Sequence, residues 1–276
     1  MIKLMLLTAN TELILEAGNT GVDRIFLDLE YINKVERQKG RNTFISHNQI
    51  ADVARIKKII KDQELLVRVN PINPNSKYEI EKSISDGADI LMLPMLLDND
   101  DAKQFIHFVN GKAKVCLLLE TAQSLVRLDD ILDVAGIDEV FIGLNDLHIS
   151  MGLTFMFELL SGGIVEYMAQ KIKHRNISFG FGGIAKIGEG TLPAECILAE
   201  HIYLGSSSVI LSRVFRNEGV LSSPKVDIGF EVKRIREKEQ EIQKWSEIDF
   251  LNNRQRIANC VRKVVSDMHN NSSTLL

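Results

Sequence analysis

Several large protein classes are excluded by what this chain lacks. It has three cysteines, Cys116, Cys196 and Cys260, an odd number, far apart and without CxxC spacing. That usage fits neither a disulfide framework nor a zinc site, and it points to a reducing compartment, so a cytoplasmic protein is expected. No apolar run approaches the roughly 18 residues needed to cross a bilayer. The opening MIKLMLLTAN has no small-residue cleavage site and reads as a first strand, not a signal peptide. No membrane partner is expected. Charge of one sign is also missing: 33 Lys and Arg against 37 Asp and Glu leave a formal net charge of -4. This is no electrostatic footprint for nucleic acid, and the basic residues of KRIREKEQ alternate with acidic ones as on a solvated helix face. The first strand-to-helix turn has no GxGxxG, and no GxxxxGK[ST] loop occurs. The usual dinucleotide and nucleotide cradles are therefore absent.

What the sequence does have is alternation. Eight short apolar runs read as strands: KLMLLT (3–8), RIFLDLE (24–30), LLVRVN (65–70), DILMLP (89–94), KVCLLLE (114–120), EVFIGL (139–144), ISFGFG (177–182) and HIYLGS (201–206). Between them lie amphipathic stretches such as NQIADVARIKKIIKD, KYEIEKSISDGA, NDDAKQFIHFVNG and TAQSLVRLDDILDVAG, each closing near a glycine or turn residue. Continuous apolar strands separated by helices indicate a parallel sheet covered on both faces. The expected fold class is α/β, a closed (β/α)8 TIM barrel over residues 1–217, with a doubly wound open sheet as the rival. Residues 218–276 form a linker and a C-terminal helical extension. The apolar stripe of that extension, from Phe230 to Val264, needs burial, and a contact between copies in a homo-oligomer is expected.

Polar residues cluster where strands end. In such a barrel the catalytic groups sit at the C-terminal ends of the strands. Reading those ends gives Asp28 and Glu30, Arg68 and Asn70, Glu120, Asn145 and Asp146, then Gly182 and Gly183. Glu120 and Asp146 end consecutive strands, and two carboxylates held close repel unless a proton or cation lies between them. A hard divalent ion such as Mg2+ is the economical partner; the plain alternative makes each carboxylate a helix cap. Arg68 offers a permanently charged planar fork to a carboxylate or an enolate oxygen, or else pairs with Asp28 or Glu30. Gly182, Gly183, Gly205 and Ser206, after strands seven and eight, are candidate phosphate donors, although tight turns explain glycines as well. His107 and His174 lie in helical stretches and read as surface or packing residues. His148 is a candidate lining residue, and Cys116 reads as core.

RVNP after strand three, LLLET ending strand five and FIGLNDLHISMG after strand six resemble the HpcH/HpaI aldolase and citrate lyase β-subunit family. The resemblance spans about residues 3–215. It implies a metal-dependent barrel in which Glu120 and Asp146 hold Mg2+ or Mn2+ and Arg68 stabilises an enolate. Asp28 and Glu30, with Lys34 and Arg37 just downstream, would shape the substrate site together with Asn70. Two departures stand out: Leu144 occupies a place where proline or alanine is frequent, and the family's base histidine has no plain match, His47 being the candidate. The implied activity is cleavage or formation of a carbon–carbon bond in a 4-hydroxy-2-oxo acid or an acyl-CoA thioester. The rival readings are an inactive barrel serving as a binding or scaffold protein and, with no nucleotide loop to support it, phosphotransfer on phosphoenolpyruvate.

Overall fold

The computed structural model describes residues 1–32, 48–216 and 226–273. Eight parallel strands close into a barrel in sequence order: β1 Lys3–Leu7, β2 Arg24–Asp28, β3 Glu64–Arg68, β4 Ile90–Leu93, β5 Lys114–Leu119, β6 Glu139–Ile142, β7 Ser178–Ile184 and β8 Ser208–Leu211. β8 returns to β1 through the register Lys3↔Ser208 to Leu6↔Leu211, so the sheet has no free edge. Inward-pointing side chains fill the barrel: Met5, Phe26, Leu66, Ile90, Met92, Cys116, Leu118 and Phe141. Outward-pointing ones, such as Leu27, Val67, Leu91 and Leu117, meet the helices. This two-sided burial is why the strands read as unbroken apolar runs.

The helices are α1 Thr11–Ala17, α2 Ala51–Lys57, α3 Ser76–Ser85, α4 Asn99–Val109, α5 Ala122–Val126, α6 Leu128–Leu132, α7 Leu144–Ser150, α8 Glu158–Ser161, α9 Ile164–His174 and α10 Ala194–Leu204. α4 illustrates why these segments fold as they do. The Asp98 side chain accepts from the Asp100 and Asp101 N–H groups at its start, and Asn110 closes it in the left-handed region at φ 50°. Its buried face is Ala102, Phe105 and Val109, at helical spacing. The lower rim repeats one device: the aspartates ahead of β2, β4 and β6 each accept a backbone N–H from the preceding strand. Asp23 takes Leu4 at 2.7 Å, Asp89 takes Leu65 at 2.7 Å and Asp138 takes Val115 at 2.8 Å.

Strand eight is a correction. HIYLGS is not a strand but the end of α10 and its left-handed cap, Gly205 at φ 75°. β8 follows at Ser208–Leu211. The misreading has a physical cause: α10 is wedged between the barrel and the C-terminal helices and buries Ala194, Ile197, Leu198, His201 and Leu204 on several faces, so it has little amphipathic period. Those C-terminal helices are α11 Ile228–Ile242 and α12 Glu247–Ser273. α11 is tied to the first strand: the Ile2 N–H donates to Glu239 Oε1 at 2.7 Å, and Arg236 donates to the Ile2 carbonyl at 2.6 Å. Among the described residues no helix is long and apolar enough to cross a membrane.

Candidate active site

At the C-terminal ends of the strands a cavity of about 230 Å³ opens into the barrel, lined by Arg68, Glu120, Asn145, Asp146, Gly182 and Gly183 among others. Arg68 is the last residue of β3, directly beside Asp28 in register. Its Nε and Nη2 donate to the two Asp28 oxygens, each at 2.8 Å, and Nη2 lies 3.4 Å from Glu30 Oε2. The guanidinium also sits 5.6 Å above the Phe26 ring. Burial alone would discourage the Arg68 charge, but Asp28, Glu30 and Glu120 outweigh it and hold the pKa well above the ordinary value. Asp28 thus fixes the planar fork along its Nε–Nη2 edge, and the residue lines the cavity.

Glu120 follows β5 and is 2% exposed. The Met95 N–H donates to its Oε1 at 3.1 Å from a backbone in the left-handed region, φ 54°. Such a conformation is costly for methionine and places that N–H against the carboxylate. The next residue anchors the other side: Thr121 caps α5 in a capping box with Ser124, and its hydroxyl donates to the Leu96 carbonyl. Space for Glu120 comes from Gly143, where an added Cβ would lie 2.8 Å from the Glu120 Cβ and 2.9 Å from its Oε2. Asp146 stands in the first turn of α7, which begins at Leu144, so Asn145 and Asp146 belong to the helix and not to a turn ending the strand.

The electrostatics favour a cation. Burial, then the Asp146 charge, push the Glu120 carboxyl up to about 8; Arg68 pulls it down and Glu30 pushes it up again. Among the described residues no group of three or more His, Cys, Asp or Glu side chains encloses a metal position. The donor set on offer is the carboxylate pair Glu120 and Asp146, both of which line the cavity. That composition suits Mg2+ or Mn2+, which take one or two carboxylates and complete an octahedron with water and substrate oxygens.

Not every residue expected at the site is there. Asn70 is held in the loops: its Oδ1 accepts the N–H groups of Tyr31 and Ile32 at 3.0 and 3.1 Å, and its Nδ2 donates to Glu79 Oε1 at 2.8 Å. It lines a separate cleft with Tyr31, Asn73 and Tyr78. Ser206 lies at the opposite end of the barrel, ahead of β8, where its hydroxyl meets His201 Nδ1 at 2.8 Å and donates to the Phe179 carbonyl. With Gly205 beside it, the two-loop phosphate cradle is not assembled. Gly182 and Gly183 do reach the cavity, but Gly182 sits at φ 50°, with an added Cβ 2.7 Å from Leu144, so packing accounts for that glycine. His148 is buried, its Nδ1 3.2 Å from the Leu144 carbonyl within α7. His47, Lys34 and Arg37 lie outside the described residues. Sequence reasoning missed Met95, Gly143 and Met156. Only Gly143 left a signal, a glycine directly after the apolar run EVFI.

Comparison with known proteins bears on the family and the fold. Residues 2–159, more than half of the chain, match the HpcH/HpaI aldolase/citrate lyase family. A 4-hydroxy-2-oxo-heptane-1,7-dioate aldolase of Salmonella typhimurium is 28% identical over a segment covering 28% of this chain and 41% of the relative; the chain thus matches under half of that relative's length. Among solved structures, an HpcH/HpaI aldolase/citrate lyase family protein from Burkholderia cenocepacia superposes with a TM-score of 0.62 at 15% identity, covering 88% of this chain and 95% of the other. The citrate synthase SbnG gives 0.61 at 15% identity, covering 78% and 89%. At such identity these structures bear on the fold alone. The chain belongs to the HpcH/HpaI aldolase/citrate lyase family, a family of aldolase- and lyase-type enzymes.

Proposed function

We propose that this protein is a metal-dependent carbon–carbon lyase or aldolase that cleaves or forms a 4-hydroxy-2-oxo acid or an acyl-CoA thioester through an enolate. The observation that carries the reading is the buried Glu120 carboxyl facing Asp146 across a cavity that Arg68 also lines. Glu120 and Asp146 would hold Mg2+ or Mn2+. When bound, such an ion supplies a Lewis acid for the substrate carbonyl. The chain's own residues do the rest. Asp28 and Glu30 fix the Arg68 guanidinium, so it would meet the enolate oxygen without reorganising as charge develops there. Phe26, Met92, Leu118 and Phe141 in the cavity lining lower the local dielectric, which strengthens the Arg68 interaction. His47 is our candidate for the base that takes the substrate hydroxyl proton. The named substrate of the Salmonella relative, a 4-hydroxy-2-oxo diacid, belongs to the same class. Phe230, Ile248 and Leu251 remain exposed on α11 and α12, and we assign a homo-oligomeric contact to them.

The test is calorimetric titration of Mg2+ and Mn2+, with and without oxalate, on the wild type and on Asp146→Ala. Metal binding that tightens with oxalate and falls at least tenfold in the variant is the expected result. No metal binding by the folded wild type would return the chain to the scaffold reading.

A further inference from the structure

The cavity lining is chemically mixed. Its charged residues are Arg68, Glu120 and Asp146; its apolar ones include Phe26, Met92, Leu118, Phe141, Ile210 and Met156. The first four of these belong to the apolar filling of the barrel, against which Ile210 packs. At about 230 Å³ the cavity has room for roughly eight waters at ~30 Å³ each, enough to enclose a compact acid. A 2-oxo acid head belongs against the charged residues. Whatever is attached beyond its C4 then meets hydrocarbon, where each buried methylene tightens binding about fourfold. A second carboxylate placed there would lose its hydration, and among the described residues no further cation lines the cavity to replace it. Among the described residues Arg68 is the cavity's only cation, and it already faces Asp28 and Glu30.

We infer that the substrate is a 4-hydroxy-2-oxo monocarboxylic acid with a short apolar terminus, so that the aldehyde half is uncharged and aliphatic or aromatic. This rests on the enolate reading above and narrows it. In cleavage the C3–C4 bond breaks and its electron pair stays on C3 as the enolate. The C4 hydroxyl proton passes to the base, and C4 leaves as the aldehyde. A proton returned to C3 gives the 2-oxo acid. No oxidant or reductant is consumed.

Three measurements on the Mg2+-supplemented full chain separate the possibilities. Exchange of the pyruvate methyl protons with D2O, followed by NMR, reports enolate formation without any aldehyde. Condensation of pyruvate with pentanal or with succinic semialdehyde, nearly isosteric acceptors differing in one carboxylate, reports selectivity as kcat/KM. Calorimetry with 2-oxohexanoate and 2-oxoadipate reports the same preference by binding alone. We expect exchange, at least a tenfold preference for pentanal and tighter binding of 2-oxohexanoate. Met156→Arg, in a half-buried loop position, should narrow both ratios by placing a cation on the apolar wall. Exchange accompanied by equal or reversed preferences overturns the apolar-terminus proposal and leaves the enolate site standing. Absence of exchange overturns the enolate reading, and the proposal with it.

Discussion

Glu120 is buried against two other carboxylates, Asp146 and Glu30, with the Met95 N–H and the Arg68 charge in its favour. Its folded-state pKa of about 8 exceeds the ordinary 4.5, so the native protein holds a proton that the unfolded chain releases. Stability contributed by that protonated form is full below about pH 4.5 and is lost as pH rises through 8. Glu120→Gln, whose amide oxygen still accepts from Met95, should therefore stabilise the metal-free protein at pH 9 by on the order of 2 kcal/mol and change little at pH 5. Urea unfolding in EDTA at the two pH values checks this; equal shifts at both would mean that Glu120 carries no such charge penalty. Metal affinity should fall in the same variant, the usual conflict between a site and its scaffold. Arg68, Glu120 and Asp146 were legible in the sequence because a charge at the end of an apolar strand has few structural uses. Asn70 looked the same. Its real partners, Tyr31, Ile32 and Glu79, come from one loop and a helix that no strand-end rule connects to it.

At the scale of elements, α10 was the one hidden from sequence reading. An all-round apolar helix and a buried strand leave the same trace, and only the packing of α11 and α12 on it decides between them. Its buried Glu200 shows how that packing is held. Asn253 donates to Glu200 Oε1 at 3.3 Å, and Arg254 Nε lies 3.5 Å from Oε2 while Nη2 donates to Glu166 at 2.6 Å. Burial still pushes the Glu200 carboxyl up to about 7, with Arg254 and Asn253 opposing and Glu166 adding to it. Arg254→Ala leaves this acid buried beside Glu166 without its cation. The expected cost is about 2–3 kcal/mol at pH 8, below the range for fully buried pairs because Arg254 is partly exposed. The loss should shrink at pH 5, where Glu200 takes up a proton and needs no partner. Urea midpoints of wild type and variant at both pH values decide it, and a pH-independent difference would assign the effect to lost packing of Arg254 on Tyr203, 4.9 Å away.

For the whole molecule, the barrel divides its polar interior between two ends. The closed, eight-stranded order was legible from the alternation of apolar runs and helices, whereas the strand registers that set the ends were not, because they depend on pairings between distant segments. At the lower end Arg24, 1% exposed, donates to Glu64 at 2.8 Å and to both Glu139 oxygens at 2.8 and 2.9 Å, with Lys3 and Lys114 completing the cluster around Glu64. Burial opposes the Glu64 charge, but the bonds from Lys114, Arg24 and Lys3 hold its carboxyl far below the usual range. Stability tied to that carboxylate is present above about pH 4.5 and lost as pH falls below it. Charge balance at this end holds the barrel together, while the opposite end carries the candidate site. Arg24→Met should then cost about 3 kcal/mol in urea unfolding at pH 7, since Glu64 and Glu139 lose their shared buried cation. The folded variant should bind Mg2+ and oxalate as the wild type does. A parallel loss of metal affinity would mean that the two ends are coupled through the barrel filling between them, Met5 and Leu66 below and Phe26 and Met92 above, and that the site at Glu120 depends on the packing as well as on its own loops.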